Sequence, residues 1–149
     1  MASPFEEIIS FALDKEKEAM LFYEDLSRQI DDPVMKESLL SMADEEQKHA
    51  RLLRGLAPKN IILGPSPSEQ DLKISNYLLD VKPSRDLSYQ ELLIIAIKRE
   101  EKSLALYSDL EKRAADTATR NLFGLLKGEE LKHKTRLERE YEERILWNP

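Results

Sequence analysis

The chain is 149 residues long, contains no cysteine, and sets 23 Lys and Arg against 29 Asp and Glu for a net charge of −6. That length buries one core without staples, and the missing thiols exclude cysteine catalysis, disulfide frameworks, thiolate-held zinc and iron–sulfur clusters. The acidic balance argues against nucleic acid or an anionic membrane as partner, and the low aromatic share argues against a β-rich fold.

The opening stretch, 1–17, lacks a basic region followed by an apolar one and already carries Glu6 and Glu7. No window approaches the roughly 18 apolar residues of a membrane span. A cytoplasmic protein is the expectation. Ser3-Pro4-Phe5-Glu6 reads as a capping box with proline at the first helical position, predicting a helix over about 4–28. Asp31-Asp32-Pro33 ends it and caps a second helix over about 33–56, closed by Gly55 and Pro58. Residues 57–87 hold Pro58, Pro65, Pro67, Pro83 and Gly64 and read as a long crossover, with a short helix around 72–79. Ser88-Tyr89-Gln90-Glu91 is a second capping box opening a helix over about 89–114, and Asp116 caps a fourth over about 117–145. Short turn, long crossover, short turn predicts one all-α domain over 1–149: an antiparallel four-helix bundle made of two helical hairpins.

The hairpins repeat. Adding 84 carries Ala12 to Ala96, Glu16 to Glu100, Tyr23 to Tyr107, Asp32 to Asp116, Glu46 to Glu130 and His49 to His133. A 4-3 spacing picks one seam on each helix. The first seam is Phe5, Ile9, Ala12, Glu16, Ala19, Tyr23 and Leu26; the second is Met35, Leu39, Met42, Glu46, His49, Leu53 and Leu56. The third is Tyr89, Leu93, Ala96, Glu100, Ser103, Tyr107 and Leu110; the fourth is Thr119, Phe123, Leu126, Glu130, His133 and Leu137. Every seam is apolar at its ends and carries a carboxylate in the middle.

Four glutamates facing one another inside a bundle cannot all stay ionised, because desolvation and mutual repulsion raise their pKa values. Two divalent ions would neutralise them, and nitrogen with oxygen donors and no sulfur suits iron or manganese, with zinc as a substitute. A single Glu-x-x-His is a weak signal, since that spacing often gives only a surface contact. Here both histidines of the chain have Glu three residues before them, which chance gives about one time in sixty. The bland alternative is a decayed copy of such a site. Glu45 and Glu129, four residues before the histidines, could also reach a metal, whereas Glu18 and Glu101 lie off the seam on a solvated face.

One Glu from each of two helices plus Glu-x-x-His from each of the other two is the ligand pattern of ferritin-like di-iron carboxylate proteins. Within that class, FALDKEKEAMLFYEDLS, MADEEQKHARLL and AIKREEKSLALYSDL resemble rubrerythrins and their short relatives over nearly the whole chain. The resemblance implies that Glu16, Glu46, His49, Glu100, Glu130 and His133 bind two irons, with Glu46 and Glu130 placed to bridge them or to switch between terminal and bridging modes. It also implies that Tyr23 and Tyr107 hydrogen-bond ligand carboxylates, from where a tyrosine hydroxyl or a carboxylate could relay protons; the alternative for the tyrosines is a core aromatic with any nearby acceptor, and the carboxylate role is favoured. Two departures stand out. A full rubrerythrin adds a cysteine-held iron centre, so here electrons would come from an external donor protein. Rubrerythrins also tend to carry a further glutamate where this chain has Ser103.

The activity so implied is reduction of hydrogen peroxide or dioxygen at a di-iron centre. The rivals are a ferroxidase with Fe(II) as substrate and a non-catalytic bundle held together by metal. Gly124 and Gly128 read as sites of close helix approach or a bulge near Glu130, and Glu138–Arg144 as a solvated helical end. Ile145, Leu146 and Trp147 would pack back on the bundle or meet a second copy, and exchange of hairpins across the long crossover would give a homodimer.

Overall fold

The computed structural model of the protein describes residues 4–56 and 87–146. The Ser3 half of the first capping box, the connection with its expected short helix, and Trp147 lie outside them. Four helices make up the rest: α1 (Pro4–Arg28), α2 (Pro33–Arg54), α3 (Tyr89–Arg113) and α4 (Thr117–Glu140), followed by a π-helical turn, Tyr141–Leu146. The caps explain the boundaries. Asp32 accepts from the backbone N–H groups of Val34 and Met35 at 2.9 and 3.4 Å, with Pro33 needing no partner at the first helical position. Ser88 and Glu91 form a reciprocal capping box, and Asp116 accepts from Thr119 N–H at 2.8 Å.

The turn between α1 and α2 and the turn between α3 and α4 span only a few residues, so each pair lies antiparallel. Packing is dense within each hairpin and sparser between them, through α1–α3 and α2–α4. All four seams face inward. Only Ala19, Leu56, Tyr89 and Ser103 among the seam residues are half-buried; the others are buried. The apolar core is split in two. One cluster gathers Phe5, Ile9, Leu53, Leu110, Phe123 and Leu126, and the other gathers Phe22, Leu26, Met35, Leu39, Leu93 and Leu137. Between them lies a layer of buried glutamate and histidine.

Two expectations are refined. The fourth helix continues to 146, but as a π-helical turn after Glu140, and its end is solvated at Glu138, Arg139, Glu142, Glu143 and Arg144 while Glu140 is buried. Glu140 is 4% exposed, accepting from Tyr89 Oη at 3.1 Å and from Arg144 Nε at 2.9 Å. Arg144 reaches on to Asp32 at 2.6 Å, and that hydrogen bond, with those from Met35 and Val34, holds the Asp32 carboxyl below its usual range. Tyr141 and Ile145 pack against the second core cluster; the wider π turn lets the chain make both the ionic and the apolar contacts at once. There is also no bulge at Glu130, since α4 is regular through it. A Cβ on Gly124 would meet the Glu111 carboxylate of α3, but one on Gly128 would point into open space, so only the first glycine serves a close approach.

Leu126→Ala, which opens a cavity in the first core cluster, should cost about 3 kcal/mol in urea denaturation. Ser88→Ala, which removes the α3 cap, should cost about 1 kcal/mol.

Candidate metal centre

Glu16 on α1, Glu46 and His49 on α2, Glu100 on α3, and Glu130 and His133 on α4 meet in the polar layer, each no more than 5% exposed. One chain supplies all six. They fall into two overlapping groups: Glu16, Glu46, His49 and Glu130, and Glu46, Glu100, Glu130 and His133. Within each group, one donor atom per residue lies within 4.8 Å of the others. Glu46 and Glu130 belong to both groups, the position required of a carboxylate shared by two cations.

The contacts obey the twofold repeat. His49 Nδ1 lies 2.8 Å from Glu130 Oε1, and His133 Nδ1 lies 2.7 Å from Glu46 Oε1. Tyr23 Oη donates to Glu100 Oε1, and Tyr107 Oη donates to Glu16 Oε1. The tyrosines therefore reach across the bundle to the carboxylate of the opposite hairpin, not to the glutamate on their own helix. In both rings Nδ1 faces the carboxylates. On the far side of one ring, His133 Nε2 lies 2.5 Å from Glu45 Oε2. Glu45 thus sits behind the histidine and, by accepting from Nε2–H, leaves Nδ1 as the lone-pair donor towards the glutamates. Sequence spacing offered Glu45 as a direct ligand; a position just before Glu46, one residue round the helix, places it behind the opposite histidine instead. Its repeat partner Glu129 pairs with Lys132 at 3.4 Å. Glu18 and Glu101 are exposed, as their position off the seam requires.

The electrostatics show what this layer lacks as protein alone. Burial, then repulsion from Glu130 and other carboxylates, pushes Glu46 well above the ordinary glutamate range. Burial and the nearby Glu130 do the same to Glu100. Glu130 is pushed up to about 8, by burial first and Glu16 next. Glu16 differs: burial pushes it up, but the approach of Glu46, His49 and Tyr107 outweighs this and holds it low. Glu16 Oε2, Glu100 Oε2 and Glu130 Oε2 are buried without a hydrogen-bond partner among the described residues. A buried carboxylate oxygen with no donor is costly. A pair of cations, one in each donor group, would answer all three, and a set of carboxylates and imidazoles without sulfur suits iron, manganese or zinc. The residues fit a metal centre.

Two outcomes follow. In the fold, Glu46, Glu100 and Glu130 hold protons more tightly than in the unfolded chain, and for Glu130 the native state binds the extra proton from the ordinary glutamate value of 4.5 up to about 8. Without metal, this contribution to stability is present below 4.5 and is lost as pH rises through about 8. Urea midpoints in chelator should accordingly be lower at about pH 8.5 than at about pH 5.5, and added divalent metal should remove the difference. Glu45→Ala should weaken metal affinity by about 10- to 100-fold, and Glu45→Gln, which keeps an acceptor oxygen, by less; competition with a chromophoric chelator measures both.

The rubrerythrin family profile matches residues 7–141. Among solved structures, a hypothetical protein from Pyrococcus furiosus is 26% identical, with a TM-score of 0.75 over 96% of this chain and 91% of that one. A Thermotoga maritima protein, described as a ferritin-like diiron-carboxylate protein, is 24% identical, with a TM-score of 0.72 over 91% of this chain and 93% of that one, and shares the fold. A search of curated proteins finds no match. No helix among the described residues is long and apolar enough to cross a membrane. With a family match over most of its length, on a ferritin-like four-helix bundle that buries carboxylates and histidines at its centre, the chain belongs to the rubrerythrin family.

Proposed function

We propose that the protein is a di-iron oxidoreductase, reducing hydrogen peroxide or dioxygen with electrons from a separate donor protein. The observation that carries this reading is the pair of overlapping donor groups sharing Glu46 and Glu130. Glu16 and His49 would complete one iron site, and Glu100 and His133 the other. An iron pair held there supplies two electrons to one small oxidant without releasing a one-electron product.

The protein's part is to keep water out and to manage protons. Two apolar clusters close the centre above and below. Reduction of either oxidant to water consumes protons, and bulk water does not reach this layer freely. Burial, and then the negative charge of the facing carboxylates, pushes the Tyr23 and Tyr107 hydroxyls well above their usual value. Both therefore keep their protons at any working pH, and each points its O–H at a ligand carboxylate. Tyr107 Oη holds a proton against Glu16 Oε1, and Tyr23 Oη holds one against Glu100 Oε1. A carboxylate that shifts its grip can accept that proton and hand it inward. The chain has no cysteine, so no thiolate-held electron relay is built into it.

Iron-reconstituted protein should contain about two iron atoms per chain, and the reduced form should consume peroxide or dioxygen without releasing iron. Tyr23→Phe combined with Tyr107→Phe should leave iron content unchanged and slow oxidation of the reduced form by about tenfold or more in stopped-flow. Less than one iron per folded chain would defeat the proposal. Ferric iron leaving the protein at each turnover would make Fe(II) the substrate and favour the ferroxidase reading.

A further inference from the structure

The half-buried state of Ala19 and Ser103, where the rest of those two seams is buried beyond their ends, has a cause. A cavity of about 50 Å³ opens between α1 and α3, lined on α1 by Phe11, Lys15 and Ala19 and on α3 by Arg99, Glu100, Lys102, Ser103 and Leu106. Ala19 and Ser103 are repeat partners, as are Lys15 and Arg99, so the cavity lies where the twofold repeat brings the two hairpins together. Small side chains at 19 and 103 leave the room. Since one water needs about 10–15 Å³ of such space, the cavity has room for a molecule of about three to five heavy atoms. Its floor includes Glu100, whose Oε2 has no hydrogen-bond partner among the described residues. Glu100 is thus the residue of the central layer that the cavity borders.

The walls are basic in an acidic protein. Lys15, Arg99 and Lys102 line the cavity, and Glu100 is its one carboxylate. Glu18, outside the lining, accepts from Lys15 at 2.9 Å and from Arg99 at 3.3 Å, and so offsets part of this positive charge. The cations are also held in place. Lys15 Nζ lies 5.2 Å from the centre of the Phe11 ring, and the Arg99 guanidinium 5.2 Å from that of Phe22. Arg99 Nε is buried without a hydrogen-bond partner among the described residues, and Ser103 adds a hydroxyl. A narrow cleft lined by one sign of charge concentrates the opposite sign and repels its own.

We infer that this α1–α3 pocket is where the centre takes up its small substrate, and that Lys15, Arg99 and Lys102 select a small monoanion and turn divalent cations away. The inference rests on the metal-centre reading above and sharpens it. Uptake requires the loaded centre, whose metal would supply the anion's final partner beside Glu100. Of the two oxidants, only peroxide has a monoanionic form, the hydroperoxide left when hydrogen peroxide gives one proton to solvent. Dioxygen gains nothing from the three cations. Fe(II) as a substrate would have to pass them.

Azide, a three-atom monoanion, is the probe. Iron content is read first, then azide is titrated into the diferric protein and followed by visible absorption at low and high salt. Wild-type protein should bind azide with an affinity that falls as salt rises, and metal-free protein should not bind it. Lys15→Gln, Arg99→Gln and Lys102→Gln combined should keep the iron, weaken azide by about tenfold or more, and lose most of the salt dependence. Ferrous uptake by the metal-free variant should match or exceed the wild-type rate. If the triple variant does not fold, Lys15→Gln with Lys102→Gln, and separately Ser103→Leu to fill the cavity, must each weaken azide. Azide affinity within twofold of wild type in folded, iron-replete variants overturns the inference and leaves the metal-centre reading standing. Wild-type protein that takes up no iron removes both.

Discussion

Four carboxylates buried at one level of a narrow bundle are the constraint from which the rest of the structure follows. Glu16, Glu46, Glu100 and Glu130 lie too close together and too far from water for all four to be ionised as protein alone. Proton sharing relieves part of this, as the raised Glu46, Glu100 and Glu130 indicate. Histidine and tyrosine relieve another part through hydrogen bonds. What remains is a set of carboxylate oxygens with no donor, which a pair of cations would satisfy. The apolar seams have to compensate for this layer, and they do so by packing two separate cores, one on each side of it.

The repeat makes the constraint cheap to encode. Because each contact has a mate 84 residues away, one hairpin design specifies Tyr to Glu and His to Glu twice. Function then enters where the copies differ. Glu45 braces His133, while Glu129 turns to a lysine. Glu18 and Lys102 occupy equivalent positions with opposite charge, and Ala19 stands opposite Ser103. These differences give the two similar donor groups unlike surroundings.

The fold and the six central residues were legible because they rest on local, periodic signals. Ser88 with Glu91, Asp32 and Asp116 mark helix starts by chemistry that acts within a single turn. A carboxylate on an otherwise apolar seam is visible in one dimension, since periodicity alone fixes its face. Contacts between helices were not legible. Spacing did not say which carboxylate Tyr23 meets, and its hydroxyl extends across the bundle to Glu100. Glu45 read as a rival ligand because its partner, His133, is 88 residues away. The burial of Glu140 within the otherwise solvated end of α4 was not visible, because Glu140, Arg144 and Asp32 come together only after both hairpins have formed.

The same geometry assigns the centre a mechanical role. Helix packing is concentrated within each hairpin, and between hairpins it is sparse. The shortest polar contacts in the central layer run the other way, from one hairpin to its mate: Tyr23 to Glu100, Tyr107 to Glu16, His49 to Glu130, His133 to Glu46 and to Glu45. Among the described residues, cross-hairpin ties outside that layer such as Arg99 to Glu18 and Arg144 to Asp32 are exposed pairs of a kind that contributes little. A cation held by Glu46 and Glu130 with residues of both hairpins therefore adds its binding free energy directly to the weakest packing direction of the bundle. Chemistry and cohesion share the same six side chains. A change at the centre that alters the charge or grip of one carboxylate is felt first as a change in how the two hairpins sit against each other, and the α1–α3 pocket lies on that seam.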